Sequence, residues 1–327
     1  MQNTRFSIVI PVYNAKDFIA KAIDSAINQS YGNIEIICVD DKSVDNSVSI
    51  IKEFMAKDER IKLIYNERNL GTFATRNNGV LNASGEYLLF LDADDMLNVN
   101  ACERLDKELR LYNDRGQKID ILAFNHIRDK ENGQKAQNNF NLLYPKNEIF
   151  SIKDFVLESA KNGIGKYWTL WGKAFLRSTY THSLQKLDLN QRLLMAEDAL
   201  IFVNVLLYAK NYACINDELY IYRDNENSIT QRNDREKLLI TIQNHSYVID
   251  TLLDLSEQFS SFERYLAQIF CIELEISNIN FAKRKLNPSL LNYLSTSFYK
   301  KFLRLKQKYY IYKFSLSHSF KDTDAIF

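Results

Sequence analysis

Short apolar runs and amphipathic stretches alternate along the first third of the chain. Residues 6–11 (FSIVIP) form a continuous, largely β-branched run, which predicts a buried strand. After it, Ile19, Ala22, Ile23, Ala26 and Ile27 recur at spacings of three and four, which predicts a helix with one apolar face and an Asn14 cap at its entry. Further strands are predicted at 34–39, 61–65, 86–91 and 119–124, and helices at 43–57, 72–82 and 98–112. Alternation of this kind builds an α/β architecture in which a mostly parallel sheet is flanked by helices.

Ligands of such sheets sit at the carboxyl ends of the strands. Four polar clusters fall there, at 11–14, 40–45, 69–76 and 92–95. Residues 129–146 are polar and aperiodic, which predicts a loop or flap. Between 151 and about 235 the pattern predicts helices at 153–160 and 197–209, an aromatic segment at 166–175 and a strand at 218–223. Beyond Arg235, Leu238, Ile242, His245, Ile249 and Leu252 share one helical face, so the chain ends in a C-terminal helical appendage.

Composition narrows the picture. The 327 residues are 46% apolar and 25% charged, enough for a sizeable core and unlike a disordered tail. The 42 basic and 41 acidic residues nearly cancel, which argues against a surface that tracks nucleic acid throughout. Locally the balance fails: ten lysines and arginines and no acid stand between Glu275 and Asp322, and the remainder of the chain is net acidic. Four scattered cysteines without a CxxC pair predict buried, reduced thiols of a cytosolic protein. The start of the chain lacks the features of a secretory signal and no stretch is apolar enough to span a bilayer, so neither export by that route nor a span is expected.

Candidate chemistry concentrates at the strand ends. Asp92, Asp94 and Asp95 follow the fourth strand as LDADD. Carboxylates there can converge on a hard divalent cation whose open positions take phosphate oxygens, against the competing reading of a solvated turn. Asp41, in DDKSVD, can accept from a nucleobase imide, while Ser43 and Asp45 suit helix capping. Arg76 suits phosphate or uracil oxygens, a surface ion pair being the alternative. Glu197 and Asp198 open an apolar helix, where its dipole favours them without any function; set opposite a metal, one of them can take a proton from a hydroxyl nucleophile. Trp168 and Trp171, near Tyr167 and Lys173, offer faces for sugar stacking or for core packing. His126, His182, His245 and His318 stand apart from one another and receive no role.

Together IVIPVYNA, IEIICVDDKSVDNS, NLGTFATRNNG, ASGEYLLFLDADD and AEDALIF resemble the nucleotide-diphospho-sugar glycosyltransferases of family 2. The resemblance is dense over 5–112 and thinner over 166–232, where WGKAF and YIYRDNENSIT are similar to a bacterial capsule, exopolysaccharide and lipooligosaccharide subgroup. It implies a GT-A-like (Rossmann-like) domain at 1–235, with a nucleotide-sugar part at 1–128 and an acceptor-side part at 147–235, followed by a basic helical region at 236–327. It implies inverting, metal-dependent, non-processive transfer from a nucleotide-diphosphate donor, UDP first, to a glycan or lipid-linked acceptor. By the same resemblance Pro11, Tyr13, Asn14, Asp41, Arg76, Asp92 and Ala93 would hold the nucleotide-sugar, and Asp94 with Asp92 would hold Mn²⁺ or Mg²⁺. Asp198 would be the general base with Glu197 beside it, and Trp168, Trp171 and Lys173 would face the acceptor.

Two alternatives are weighed against this reading. A sugar-phosphate nucleotidyltransferase opens with a Gly-rich loop where this chain has PVYNA, and a non-catalytic glycan-binding or scaffold protein is opposed by Asp94 and Asp198 together. At the C-terminal end, Tyr299, Phe302, Leu305, Tyr309 and Tyr312 recur among Lys300, Lys301, Arg304, Lys306 and Lys308. This reads as a basic amphipathic helix suited to an anionic membrane surface, which predicts a cytoplasmic protein peripheral on the inner face of the membrane. Packing of those aromatics on the catalytic domain is the alternative, and no nucleic acid is expected.

Overall fold

The β-branched run after Arg5 becomes an inner strand of the sheet, paired on both edges, because its residues are largely apolar on both faces. The computed structural model describes residues 3–129, 135–136, 149–223, 235–285, 300 and 303–312. The elements are β1 (Phe6–Val12), α1 (Ile19–Ile27), β2 (Ile34–Asp40), α2 (Ser47–Met55), β3 (Ile61–Tyr65), α3 (Thr72–Leu81), β4 (Tyr87–Phe90), β5 (Met96–Leu97) and α4 (Ala101–Asp114). They continue with β6 (Ile121–Asp129), β7 (Lys135–Ala136), β8 (Ile149–Ser151), α5 (Ile152–Asn162), β9 (Lys173–Leu176), α6 (Arg177–Ser183), α7 (Glu197–Tyr208), β10 (Asn211–Arg223), α8 (Arg235–Ser256) and α9 (Ser261–Lys285). Apart from Asp129 and β7, which pairs with β6, the segment predicted as a flap lies outside the described residues.

The strand order is β3-β2-β1-β4-β9-β6-β10-β5. β1, β2, β3 and β4 run parallel, as do β6 and β10, so the fold is the predicted α/β type. The largest departure from the prediction is a strand in the middle of the sheet. β9, inside the segment read only as aromatic, enters antiparallel between β4 and β6. Four residues carry too little periodicity to announce a strand, and β9 takes its ladder bonds from partners about 50 to 90 positions away in sequence. β5 and α6 are likewise short elements that the pattern did not predict.

One face of the sheet, with Ile8, Ile10, Ile36 and Cys38, joins Ile19, Ala22 and Ile23 of α1 and Cys102, Leu105 and Leu109 of α4 in a single apolar cluster. On the other face α3 lies directly on the strands. A Cβ at Gly79 would stand 2.4 Å from Val9 Cγ1, so this close approach requires glycine. The four cysteines are buried free thiols, as expected.

The contacts divide the chain into two compact units, one of Met1–Phe150, Leu170–Leu193 and Tyr208–Glu226 and one of Ser151–Thr169, Leu194–Leu207 and Asn227–Phe327. This differs from the single boundary predicted at 235, because α5 and most of α7 group with the C-terminal helices. In the second unit Phe155, Phe202 and Phe270 form a ladder of edge-to-face rings, 6.0 and 6.2 Å between centroids, that ties α5, α7 and α9 together. The buried positions described on α8 are Thr241, His245, Val248, Leu252, Leu255 and Ser256. Ile242 and Ile249, predicted on that face, are only half-buried, so the helix is rotated from the expectation; the Leu238 side chain lies outside the described residues. Residues 303–312 are helical, with Leu303 against Ile272 and Ile276 of α9 and Arg304 paired with Glu273. Among the described residues no helix is long and apolar enough to cross a membrane.

Candidate active site

The loop after β4 carries the acids. Asp92, Ala93 and Asp94 are half-buried and Asp95 is 2% exposed. Arg76 of α3, itself buried, reaches Asp92 with Nη2–Oδ1 at 2.6 Å. The guanidinium proposed for phosphate or uracil is thus first of all the counter-ion of Asp92, and it fixes where that carboxylate points. Asp95 faces the other way. Its Oδ2 accepts from the Tyr220 hydroxyl at 2.7 Å and its Oδ1 from the Arg223 N–H at 2.8 Å. Burial, followed by the neighbouring charges of Asp92 and Asp94, pushes its carboxyl well above the usual range.

Asp41 stands just past β2 and is buried. Oδ1 accepts from Asn66 Nδ2 (2.8 Å) and the Leu70 N–H (2.7 Å), and Oδ2 from the Gly71 N–H (2.9 Å). Its carboxylate therefore holds the β3–α3 loop and the entry to α3, satisfying donors that burial would otherwise leave unpaired.

Neighbouring polar residues lace the β1–α1 loop to the β2–α2 loop. The Asn14 N–H donates to Ser43 Oγ (3.0 Å), Asn14 Oδ1 accepts from the Val44 N–H (2.9 Å), and Asp45 Oδ2 accepts from the Lys16 N–H (3.0 Å). The caps predicted for Asn14 and Ser43 are therefore absent: α1 and α2 begin after Phe18 and Asn46, with no side-chain cap at either. Both residues are too far before the helices, and the facing loop claims their polar groups. Asp45 alone approaches that role, accepting from the N–H and hydroxyl of Ser47. Pro11 lies within β1, and Tyr13 beyond it is 51% exposed.

Trp171 is half-buried against the core and stacks on Tyr220, with centroids 5.2 Å apart and planes at 21°. His126 packs edge-to-face with it, centroids 4.7 Å apart and planes at 77°. Burial, with Arg128 and Lys173 nearby, lowers the His126 pKa to about 4, so the ring is neutral. Lys173, offered to the acceptor by the sequence reading, is instead a buried residue of β9, and a strand position inside the sheet gives an acceptor little access. Glu197, Asp198 and the half-buried Trp168 belong to the second unit. The two acids form the first turn of α7 behind Ala196, whose φ is +63°. Among the described residues the non-glycine positions with positive φ are Asn14, Lys42 and Ala196, each inside a motif singled out above. Non-glycine residues seldom adopt this conformation, and it recurs at functional loops.

Among the described residues no three His, Cys, Asp or Glu side chains surround a common cation position. With Asp95 turned into the fold, the protein's donor set at this loop is the two carboxylates of Asp92 and Asp94. That set fits Mg²⁺ or Mn²⁺, which take one or two carboxylates and leave positions for substrate phosphates. Sequence reasoning missed Tyr220, although it lies in the YIYR segment that carried part of the resemblance.

Comparison with known proteins gives this geometry its class. The sequence profile of "Glycosyl transferase family 2" matches residues 7–171. The chain belongs to this family and is a glycosyltransferase with a GT-A-like fold. It is 28% identical over 228 residues to glycosyltransferase GlyG of Streptococcus pneumoniae serotype 4, covering 68% of this chain and 72% of that protein. It is 32% identical over 225 residues to the minor teichoic acid biosynthesis protein GgaA of Bacillus subtilis, covering 67% of this chain and 47% of GgaA, so it spans less than half of that relative. The crystal structure of S. aureus TarS 1–349 in complex with UDP-GlcNAc superposes with a TM-score of 0.62 at 19% identity, over 88% of this chain and 76% of that one.

Proposed function

We propose that the protein transfers one sugar from a UDP-sugar to a glycan or lipid-linked acceptor in the synthesis of a cell-surface polysaccharide of the teichoic acid or capsule kind. The observation that carries the reading is the half-exposed Asp92–Asp94 pair at the end of β4, with Asp92 held by Arg76, in a family 2 chain. The relation to GgaA supports the polymer class and the UDP-GlcNAc complex of TarS supports the donor. In this reading Pro11, Tyr13 and Asn14 border the base, and the Tyr13 ring offers a stacking face. Oδ2 of Asp41, with one donor already bound, retains a lone pair for the base imide. Asp92, Ala93 and Asp94 lie along the diphosphate. A bound Mn²⁺ or Mg²⁺ supplies neutralisation of the charge developing on the leaving diphosphate. By the resemblance Asp198 is assigned the acceptor hydroxyl proton, with Glu197 beside it. Attack from the side opposite the nucleotide inverts the anomeric centre.

The test is release of nucleotide diphosphate from a panel of nucleotide-sugars, with Mn²⁺ or with chelator and without acceptor. Metal-dependent release from one UDP-sugar is expected. Release of pyrophosphate from a nucleoside triphosphate, or turnover indifferent to the chelator, would overturn the reading.

The partner we assign to the C-terminal region is an anionic membrane surface on the cytoplasmic side, where a lipid-linked acceptor is presented. Over 303–312 the helix is two-faced. Leu303 and Gln307 are buried, whereas Leu305, Tyr309 and Tyr312 are 66%, 54% and 60% exposed, with Lys306 and Lys308 exposed among them. Exposed apolar side chains interleaved with lysines are the pattern that suits an anionic bilayer surface. The native chain is expected to sediment with phosphatidylglycerol vesicles and not with phosphatidylcholine vesicles, and Leu305→Glu/Tyr309→Glu to lose about tenfold in partition. Equal sedimentation of native and variant chains removes the assignment.

A further inference from the structure

The acids of the β4–β5 loop are held from beneath by a strand that lies far from them in sequence. β4 and β10 are not neighbours in the sheet, being separated by β9 and β6. The loop crosses that gap along the sheet edge, and β5 then pairs antiparallel with β10, Leu97 opposite Tyr220 and Met96 opposite Ile221. At the middle of the crossing the Tyr220 hydroxyl makes two contacts. It accepts the Asp92 N–H at 3.2 Å and donates to Asp95 Oδ2 at 2.7 Å. Arg223 closes the other side, its N–H donating to Asp95 Oδ1 at 2.8 Å. The Tyr220 ring is fully buried and backed by stacked Trp171, so the hydroxyl has one place to be.

We propose that Tyr220 and Asp95 form a positioning brace for the cation- and diphosphate-binding loop. Tyr220 fixes the backbone at Asp92 while Arg76 fixes its carboxylate, and Asp95 ties the far end of the loop to β10. Between these anchors Asp92 and Asp94 are held in one arrangement before any ligand arrives. Asp95, although adjacent to Asp94, is on this account a support for the ligands and not itself one. Loss of the hydroxyl leaves the Asp92 N–H and the buried Asp95 oxygen without their shared partner, and the loop gains freedom that binding must then remove. Both residues act through Asp92 and Asp94, so the inference rests on the function proposed above.

The experiment uses the full chain as Tyr220→Phe, Asp95→Asn and the double variant, with Asp94→Ala as reference. Mn²⁺ uptake in the presence of UDP is read from the electron paramagnetic resonance of the free ion, without turnover, next to kcat and KM for donor hydrolysis and the melting temperature. The brace predicts that Tyr220→Phe weakens Mn²⁺ binding about tenfold and lowers kcat by about ten- to a hundredfold. It also predicts that the double variant costs less than the two single ones added together, because the singles share the Tyr220–Asp95 link. A Tyr220→Phe chain that binds Mn²⁺ and turns over within twofold of native overturns it, as does a loss of activity that follows the melting temperature with Mn²⁺ affinity intact. Should the native chain bind UDP but no Mn²⁺, the metal reading fails separately. The brace is then decided by UDP affinity, where an unchanged value in Tyr220→Phe overturns it and about tenfold weakening supports it.

Discussion

Asp94→Ala is expected to lower metal-dependent nucleotide diphosphate release from the donor by about a thousandfold or more. A cation at a departing diphosphate contributes several kcal/mol to the transition state, and each 1.4 kcal/mol, roughly, is a factor of ten. Asp94 is the carboxylate of the loop assigned the most direct contact with that cation. Asp94 is half-buried at the loop surface, so the variant is expected to melt close to the native temperature. Chelator is expected to cost the variant little further activity, since the same contribution is already missing. Turnover near the native rate with Mn²⁺ would show that the cation is held elsewhere or that none is used.

Glu35→Gln is expected to destabilise the protein by about 3 kcal/mol at neutral pH and by progressively less in acid. Glu35 lies on β2, almost fully buried, where its carboxylate accepts from Ser7 Oγ, the Ser84 N–H and hydroxyl, and the Gly85 N–H, and meets Lys62 at 2.8 Å. Burial raises its pKa, but the hydrogen bonds from Lys62, Ser7 and Ser84 outweigh it and hold the value at about 2 against 4.5 unperturbed. A depression of that size corresponds to about 3 kcal/mol. Because the folded value is the lower one, the stabilisation is complete above pH 4.5 and is lost as the pH falls toward 2. The amide introduced by Glu35→Gln mimics the protonated acid. Denaturant unfolding of both chains across this range should show two stabilities that differ at pH 7 and converge near pH 2. A constant difference would mean that the amide fits the pocket poorly for reasons unrelated to charge.

The strands and helices of the first third were legible because each is set by local periodicity. β3 and α3 lie where the pattern placed them, to within a residue, and β1 and β2 each extend one residue further. The acid-rich ends of β2 and β4 were legible as well, since polar residues after an apolar run have nowhere to go but the edge of the sheet. What each acid does there was not. Asp41 reads in sequence as an acceptor for a base, and in the fold it also takes three donors from residues 66–71. Lys173 reads as a polar neighbour of two tryptophans, and it is a buried residue of an inserted antiparallel strand.

Periodicity and motif therefore determined the α/β class, the positions of most elements in the first third and the loops where the chemistry gathers. These depend on side chains within a few residues of one another. The place of β9 in the sheet, the lacing of Asn14 to Ser43 and Val44, and the Tyr220 hydroxyl under Asp92 and Asp95 were decided only in the tertiary structure. Each joins groups that are distant along the chain, 125 residues apart for Asp95 and Tyr220. A buried polar atom takes whichever partner the packing brings within reach, and no local pattern encodes which one that is.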